Sequence, residues 1–277
     1  MPPNEFSATR NVAAKVFEAG GLTHEGARAV AEEIPVSFLF GGVPYAVMMA
    51  SPGDVEDFAY GFSLTEGLID RADDVRGLDV FAQGRGLVVD LRLAPEKMRG
   101  SLARRRVIEG RSSCGLCGVE SADMLPQARR VAEAAPVEAR AVFAALNHLA
   151  ANQPLNAATR AVHAAAFCAR DGAILIVRED VGRHNALDKC IGAALRDRRD
   201  PRDGFVVVTS RASFEMVEKT AFFGAPLLAA ISAPTSLAIE RARALGLTLA
   251  AIARSDSLMV FAGELGEANA RSRRTVL

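Results

Sequence analysis

The chain has 277 residues, half of them hydrophobic, which is enough to bury one large domain or two of modest size. Lysine plus arginine equals aspartate plus glutamate at 33 each, which excludes a global charge that would bind nucleic acid or anionic membranes nonspecifically. The N-terminus lacks the apolar core of a signal peptide, and no stretch reaches the roughly 18 uncharged apolar residues of a spanning helix. We therefore expect a cytoplasmic protein with no membrane or nucleic-acid partner.

The N-terminal part is predicted to begin with paired strands covered by a helix. Two apolar runs, Val36 to Phe40 and Val43 to Met48, flank Gly41-Gly42, a pair suited to a two-residue hairpin. A helix is predicted between Pro52, which suits a first helical turn, and Gly67, which suits the stop. The apolar residues that recur at helical spacing there are Val55, Phe58, Ala59 and Phe62.

Two further strands are predicted, Leu78 to Ala82 and Leu87 to Leu93, on either side of a glycine-rich turn. The second alternates leucine and valine with Val88, Asp90 and Arg92, which indicates a half-exposed strand. These elements predict a smaller α+β N-terminal domain of residues 1–135. The alanine-rich stretch that ends at Pro136 is the best candidate for the domain boundary.

Residues 109–119 form a glycine- and serine-rich stretch without periodicity, predicted to be a loop of the N-terminal domain, and they include Cys114 and Cys117. Four cysteines in so long a chain indicate reduced, chemically employed thiols. The spacing alone fits half a zinc site, a redox couple or a reactive thiolate with a helper. No second such pair completes a zinc site; only His163 and His184 could do so. Nearby positive charge would stabilise a thiolate, and candidates for it are Arg104, Arg105, Arg106 and Arg111, of which the first three equally fit a solvated helix face.

From Val137 onward, helical patterns alternate with short apolar strands, which predicts a layered α/β domain with a mostly parallel sheet over residues 136–277. The predicted strands are Ala173 to Val177, Phe205 to Val208, Leu227 to Ile231 and Leu247 to Ile252. Helices are predicted around His163, Cys168 and Cys190. Because a cysteine among apolar neighbours usually behaves as a small hydrophobe, the latter two are assigned no chemistry.

Polar residues follow each predicted strand at its carboxyl end, where open α/β sheets bind their ligands, and each strand is expected to lead into a helix. In chain order they are Arg183 and His184, then Ser210, Arg211 and Ser213, then Thr235 and Ser236, and finally Arg254. Hydroxyls, guanidinium groups and helix N-termini together favour a phosphate cradle. Any single hydroxyl among them also fits an ordinary helix cap.

Five stretches of the chain resemble the FdhD family, the sulfur-carrier proteins needed for formate dehydrogenase activity. They are Val47 to Pro52, Gly61 to Gly67, Cys114 to Gly118, Glu179 to Lys189, and Ser210 to Val217. The resemblance spans roughly residues 33–261. It implies a sulfurtransferase in which a cysteine desulfurase loads persulfide sulfur onto Cys114, while Cys117 either accepts sulfur or keeps its partner reactive.

The same resemblance implies that the sulfur passes to bis-molybdopterin guanine dinucleotide, held as cargo through its guanine-nucleotide moiety, before insertion into formate dehydrogenase. It also implies a cytidine-deaminase-like C-terminal domain and a homodimer. The implied cofactor-binding segment consists of Ile252, Ala253, Arg254, Ser255, Asp256 and Ser257, which we combine with Arg183, His184, Ser210 and Arg211. The family often has a glycine and a basic residue where this chain has Asp256 and Ser257.

The residues leave two other classes of protein open. One is a non-enzymatic chaperone that binds the molybdenum cofactor during insertion, and the other is a zinc-stabilised nucleotide-binding module. No metal ligands are assigned. A zinc deaminase is excluded because His-x-Glu and Pro-Cys-x-x-Cys, which hold the metal and move protons in such enzymes, are both missing from the sequence.

Overall fold

The computed structural model describes residues 6–21, 23–98 and 127–267. In chain order the strands are β1 (Thr9–Phe17), β2 (Thr23–Ala31), β3 (Ile34–Phe40), β4 (Val43–Ala50), β5 (Val75–Gln83), β6 (Gly86–Leu93), β7 (His163–Ala169), β8 (Ile174–Asp180), β9 (Gly204–Val208), β10 (Leu227–Ala230), β11 (Thr248–Ala251) and β12 (Met259–Ala262). The helices are α1 (Val55–Thr65), α2 (Ala139–Leu149), α3 (Pro154–Thr159), α4 (Arg183–Arg196), α5 (Phe214–Phe223) and α6 (Ser236–Leu245).

The chain forms two compact units, each assembled from three stretches of sequence. The first unit contains residues 1–126, 153–164 and 178–196, and the second contains residues 127–152, 165–177 and 197–277. This division differs from the single boundary predicted between residues 135 and 136. The difference arises because helix α4, which follows that boundary by almost fifty residues, packs on helix α1 of the first unit.

The first unit contains two separate sheets. Strands β1 and β2 form an antiparallel ribbon by themselves, and a four-stranded sheet has the order β4-β3-β6-β5. Strands β3 and β4 are joined by Gly41 and Gly42, whose φ angles of 59° and 78° require the left-handed region that glycine tolerates. The predicted hairpin is therefore confirmed.

Helix α1 covers one face of the four-stranded sheet through an aromatic cluster. The Phe38 ring stacks on Phe62 at 4.5 Å between centroids and meets the Phe58 edge at 5.0 Å. Such ring contacts add to the stabilisation that area burial supplies. The predicted stop at Gly67 agrees with its φ of 66°, but Pro52 lies before the helix and not in its first turn, because α1 begins at Val55.

Strand β6 is more buried than the alternation of its residues predicted. Val88, expected on an exposed face, is only 3 % exposed. It lies in a central strand, opposite Ser37 of β3 on one side and Phe81 of β5 on the other. Arg92 on the same face is exposed, so the burial of this face is local to the region around Val88.

Helices α1 and α4 touch backbone to backbone at two glycines. A Cβ atom at Gly61 would lie 1.7 Å from the carbonyl oxygen of Asp188, and one at Gly192 would lie 1.8 Å from that of Asp57. About one turn beyond Gly61 along α1, Thr65 Oγ1 donates a hydrogen bond of 2.7 Å to Asp188 Oδ1. Only residues without a side chain permit so close an approach, and this contact explains why α4 belongs to the first unit.

The second unit is organised on a six-stranded sheet of order β12-β11-β10-β9-β7-β8. The first two residues of β7 and the last three of β8 are assigned to the first unit. Strands β9, β10 and β11 are parallel to one another, whereas β12 runs antiparallel to β11 and β7 antiparallel to β9. The four predicted strands are confirmed as β8 to β11. The expectation of a mostly parallel sheet is wrong, because the sheet combines the parallel pairs β9-β10 and β10-β11 with the antiparallel pairs β11-β12 and β7-β9.

Strand β7 replaces the helix predicted around His163 and Cys168. Its sequence is alanine-rich and its central residues, Ala164 to Cys168, are buried on both faces. A strand covered on both faces has no alternation of polar and apolar residues, so periodicity cannot distinguish it from a buried helix. Cys190, by contrast, lies on α4 as predicted.

Candidate functional site

Cys114 and Cys117, the cysteines predicted to carry sulfur, lie outside the described residues. The cysteines within the described ranges, Cys168 in β7 and Cys190 in α4, are buried. Burial raises the pKa of the Cys168 thiol to about 12. Since the thiolate is the nucleophile, a thiol that stays protonated near neutral pH is unsuited to attack on a persulfide.

The chain that follows the cysteine pair is attached to the second unit at Ala128, eleven residues after Cys117. The amide of Ala128 donates a 2.7 Å hydrogen bond to Glu218 Oε2 in α5. Glu218 is 5 % exposed and forms an ion pair with Arg241 of α6. Because a buried carboxylate is retained where its charge is paired and hydrogen-bonded, Glu218 and Arg241 hold this part of the chain in place.

The carboxyl ends of β9, β10 and β11 lie side by side, and backbone hydrogen bonds join the loops that follow them. The amide of Ile252 donates to Ser232 O at 3.1 Å, and that of Thr235 donates to Ala212 O at 3.0 Å. The structure therefore brings Ser210 and Arg211, after β9, to the same sheet edge as residues 252–257, after β11. This agrees with the rule that ligands of α/β sheets bind at the carboxyl ends of parallel strands.

The segment 252–257 is a tight turn that presents polar groups to solvent. Ile252 has a φ of 52°, rare for a β-branched residue, and the amide of Arg254 donates to Ser257 O at 2.7 Å. The guanidinium of Arg254 hydrogen-bonds the carbonyl oxygens of Ile231 and Ala253. Arg254 is exposed nonetheless, as are the three residues that follow it.

The predicted helix after β11 is absent from this part of the described chain, because the turn leads into the antiparallel strand β12. The carboxylate of Asp256 accepts a hydrogen bond of 3.2 Å from Ser257 Oγ. A negative charge at this position works against an anionic ligand, and Arg254 and Arg211 supply the opposing positive charge.

The hydroxyl groups at this edge serve different purposes. Ser210 is 3 % exposed and donates to the Arg211 carbonyl at 3.0 Å, so its side chain is committed to the loop. The Thr235 side chain accepts a hydrogen bond from the Ala238 amide and so acts as an ordinary helix cap for α6. Ser213 Oγ precedes α5, is buried and has no hydrogen-bond partner in the described part of the chain. Ser236 begins α6 and is exposed.

Arg183 and His184 begin helix α4 and belong to the first unit, not to the unit that carries residues 210–211 and 252–257. His184 is buried and Arg183 half-buried. Arg183 Nε is enclosed without a hydrogen-bond partner among the described residues. His163, in the same unit, is half-buried, and burial first and the positive charge of Arg183 next lower the pKa of this histidine.

A buried polar network positions the start of α4. Asp180 and Lys189 are both 0 % exposed and form an ion pair of 2.6 Å. Asp180 accepts from the amides of Ser51 and Gly182 at 2.9 and 2.8 Å, and Lys189 donates to Ser51 O at 2.8 Å. Asn185 Nδ2 donates hydrogen bonds to Asp180 Oδ1 at 3.0 Å and to the carbonyl oxygen of Met49 in β4 at 2.8 Å. The network ties the turn after β8 to the chain that follows β4.

Sequence reasoning did not assign a role to Asp180, Asn185 or Lys189 individually, although the stretch that contains them was singled out. Asn185 and Lys189 are four residues apart, so on a helix they share one face, and polar residues on such a face near apolar ones indicate a buried polar contact. Neither Glu218 nor Arg241 showed a comparable signal, because their pairing depends on two helices that are distant in sequence.

Within residues 6–21, 23–98 and 127–267, no cluster of three or more histidine, cysteine, aspartate or glutamate side chains is suited to hold a metal ion. In the same ranges, no helix has both the length and the apolar character needed to cross a membrane. These findings define a two-unit α/β protein with an arginine- and hydroxyl-bearing strand edge and, in the sequence, a separate cysteine pair.

Comparison with known proteins makes that class specific. Residues 31–265 match the model of the FdhD/NarQ family, and the chain belongs to that family. The sulfur carrier protein FdhD of Xanthomonas axonopodis pv. citri is 49 % identical over 247 residues, covering 86 % of this chain and 87 % of the relative. That of Bordetella petrii is 47 % identical over 233 residues, covering 84 % of each chain.

A solved structure has the same fold. The crystal structure of a proposed formate dehydrogenase accessory protein from Desulfotalea psychrophila aligns with a TM-score of 0.74, covering 93 % of this chain and 98 % of that chain. The two sequences are 24 % identical, so the likeness is one of fold.

Proposed function

We propose that this protein is a sulfur carrier that serves the maturation of formate dehydrogenase. The family match carries the proposal: it spans residues 31–265, a range that contains Cys114 and Cys117, and relatives with nearly half of their residues identical are named sulfur carriers. The described cysteines support this assignment indirectly, because Cys168 is buried with a raised pKa.

The sulfur is carried as a persulfide on Cys114, which acts as a sulfurtransferase nucleophile. The Cys114 thiolate attacks the terminal sulfur of a cysteine desulfurase persulfide, a new S–S bond forms, and the desulfurase cysteine leaves as a thiolate. The arginines at 104–106 and 111 favour the thiolate form of Cys114. Cys117 assists the transfer or accepts the sulfur in turn.

The acceptor is bis-molybdopterin guanine dinucleotide, bound as cargo at the strand edge of the second unit. Arg211 and Arg254 are exposed there beside a turn of exposed hydroxyl groups, which suits the phosphates of the guanine-nucleotide moiety. In the first unit, Arg183 and His184 lie at the N-terminus of the fourteen-residue helix α4, where the positive end of the helix dipole also favours an anion. The sulfur-bearing cofactor then passes to formate dehydrogenase.

Loading of sulfur tests the proposal directly. The protein is incubated with a cysteine desulfurase and radiolabelled cysteine, and non-reducing gels and mass spectrometry follow the label and the added sulfur atom. We expect Cys114→Ala to abolish loading, because Cys117 receives sulfur only by way of Cys114 and the described cysteines, Cys168 and Cys190, are buried. Cys168→Ala is the matched control and should load like the wild type, since its buried thiol stays protonated.

Undiminished loading of the Cys114→Ala protein would contradict the assignment of that cysteine. Activation of formate dehydrogenase by a Cys114→Ala, Cys117→Ala double variant would contradict sulfur carriage itself and favour a chaperone that only binds the cofactor. Guanine-nucleotide binding should be unchanged in both variants, which separates loss of sulfur chemistry from loss of folding.

Binding of guanosine diphosphate tests the strand edge. Arg254→Ala removes an exposed guanidinium, and we expect affinity to fall by about tenfold, the usual effect of losing one charge-assisted hydrogen bond to a phosphate. Calorimetric titration measures the change. Arg243→Ala, which removes another exposed arginine of the second unit, is the control and should bind like the wild type. Equal affinity of the Arg254→Ala and wild-type proteins would remove Arg254 from the site.

Three further properties complete the proposal. Persulfide chemistry requires reduced thiols, which places the protein in the cytoplasm. The second unit adopts the cytidine-deaminase-like fold, and the protein is a homodimer, both in keeping with the family that the sequence resembles. Comparison of the second unit with zinc deaminases, and the mass of the protein in solution, test these two points.

A further inference from the structure

The ribbon of β1 and β2 extends an almost entirely exposed surface. The two strands of nine residues pair without interruption from Thr9 opposite Ala31 to Phe17 opposite Thr23. Every residue from Arg10 to Gly20 is exposed, and these include Val12 at 39 %, Val16 at 37 % and Phe17 at 76 %. The stretch from Arg10 to Gly20 precedes the family match, which begins at residue 31.

Within the described chain, the ribbon is supported only near its base. Arg28 donates a hydrogen bond of 3.4 Å to the Thr159 carbonyl of α3, and the amide of Glu32 donates to Ala8 O at 2.9 Å. A two-stranded ribbon without further cover is marginally stable in water. The end of the ribbon beyond Arg28 therefore gains stability if another chain pairs with it or covers it.

The outer edge of β1 has few of the features that protect edge strands from pairing. It contains no proline, and its register with β2 has no bulge, so its backbone groups form a regular row nine residues long. Its two cations have anionic neighbours in the same ribbon, since Arg10 pairs with Glu32 at 3.3 Å and Lys15 lies opposite Glu25. The edge of β2 is less open, because β2 lies against α3.

We propose that β1 pairs with β1 of a second copy of this chain, antiparallel and centred on Ala13. In that register Arg10 of one copy lies opposite Val16 of the other, Lys15 opposite Asn11, and Val12 opposite Ala14. No like charges face each other, and apolar side chains meet on one face. A two-fold contact of this kind uses the same edge of both copies, so it closes without leaving a free β1 edge.

The proposed contact is a small one. Strand pairing alone buries less than the roughly 1,200–2,000 Å² of stable complexes, so the β1 edge gives a dimer that dissociates on dilution unless other surfaces join it. The inference is independent of sulfur carriage, since it depends only on the ribbon. It specifies the surface through which the homodimer proposed above assembles.

Placing a charge at the centre of the contact tests the inference. In the full-length protein, Ala13→Glu sets two carboxylates opposite each other, and we expect the dimer dissociation constant to rise roughly fivefold or more. The matched control is Ala27→Glu, which adds the same charge on the same face of the ribbon, directly opposite Ala13 but on the other strand. Ala27 is exposed like Ala13, and its variant should dimerise like the wild type. Sedimentation over a range of concentrations measures both constants.

Mixing separates a specific contact from a folding defect. Ala13→Glu and Ala13→Lys proteins should each dimerise weakly, whereas an equimolar mixture should form a heterodimer at least as readily as the wild type forms its homodimer, because opposite charges then meet across the axis. A wild-type protein that is monomeric at every concentration would overturn the proposal. So would an Ala13→Glu protein whose dissociation constant equals that of the wild type, or a mixture that shows no gain.

Discussion

A Lys189→Met variant is expected to lose about 3–5 kcal/mol of unfolding free energy, because removal of one partner leaves the other charge buried and uncompensated. Lys189 and Asp180 are both fully buried, with 2.6 Å between Nζ and Oδ2. Methionine fills a similar volume, so the loss reports the charge and not a cavity. The urea midpoint, with an unchanged slope, measures the effect.

A second variant separates charge from packing. Asp180→Asn combined with Lys189→Met removes both charges, and we expect it to be more stable than Lys189→Met alone, since no unpaired carboxylate remains. The double variant stays below the wild type because an amide cannot accept from both the Ser51 and Gly182 amides as the two carboxylate oxygens do. A Lys189→Met protein as stable as the wild type would show that the pair contributes no net stability.

The second large effect is expected at the crossing of α1 and α4. Gly192→Ala places a Cβ atom 1.8 Å from the Asp57 carbonyl oxygen, and no rotation of a side chain relieves an overlap with backbone. We expect destabilisation of about 3 kcal/mol or more, at the upper end for overpacked cores. Helix propensity alone would make Gly192→Ala more stable, because alanine is favoured over glycine in a helix by about 1 kcal/mol. A loss of stability therefore reports the contact between the helices. Thermal unfolding measures the loss.

Gly53→Ala provides the control for this prediction. Gly53 precedes α1, has no positive φ, and a Cβ atom there would meet nothing within 4 Å. Its variant should melt with the wild type, within the small change expected for an unstrained loop substitution. Gly61→Ala should behave like Gly192→Ala, and the two losses should not add, since both separate the same helices. Equal stability of Gly192→Ala and Gly53→Ala would contradict the predicted contact.

Both predictions concern helix α4, which begins with two of the candidate binding residues. The ion pair of Asp180 and Lys189 fixes its first turns, and the glycine contact fixes its middle. Arg183 and His184 are thereby held at a helix N-terminus, where partial positive charge favours an anion. Residues that contact no ligand thus position those proposed to do so.

Local patterns were sufficient for the strands and turns whose residues alternate or contain glycine pairs. The hairpin at Gly41-Gly42 and helix α1 were predicted because turn geometry and helical periodicity depend on neighbouring residues. The strand β7 was missed because burial on both faces removes the alternation. The mixed direction of the sheet was missed for a related reason, since no local pattern specifies which strands pair.

The candidate site divides in the same way. Polar residues after predicted strands correctly placed Ser210 and Arg211 on one sheet edge with residues 252–257, because parallel strands end together. The same reasoning grouped Arg183 and His184 with them; these two belong to the first unit, and their grouping with the strand edge stays a prediction. Membership of a unit depends on the glycine contact between α1 and α4, which joins residues more than a hundred positions apart.

The sequence by itself determined the family, the spacing of Cys114 and Cys117 and the strand-end polar residues, because each is a short motif that depends on residue type and spacing. Only the tertiary structure decided that Lys189 and Asp180 neutralise each other inside the protein, that Glu218 and Arg241 hold Ala128, and that β1 has an open edge. Burial and charge pairing are properties of surfaces brought together from distant parts of the chain, and so they appear only after the chain has folded.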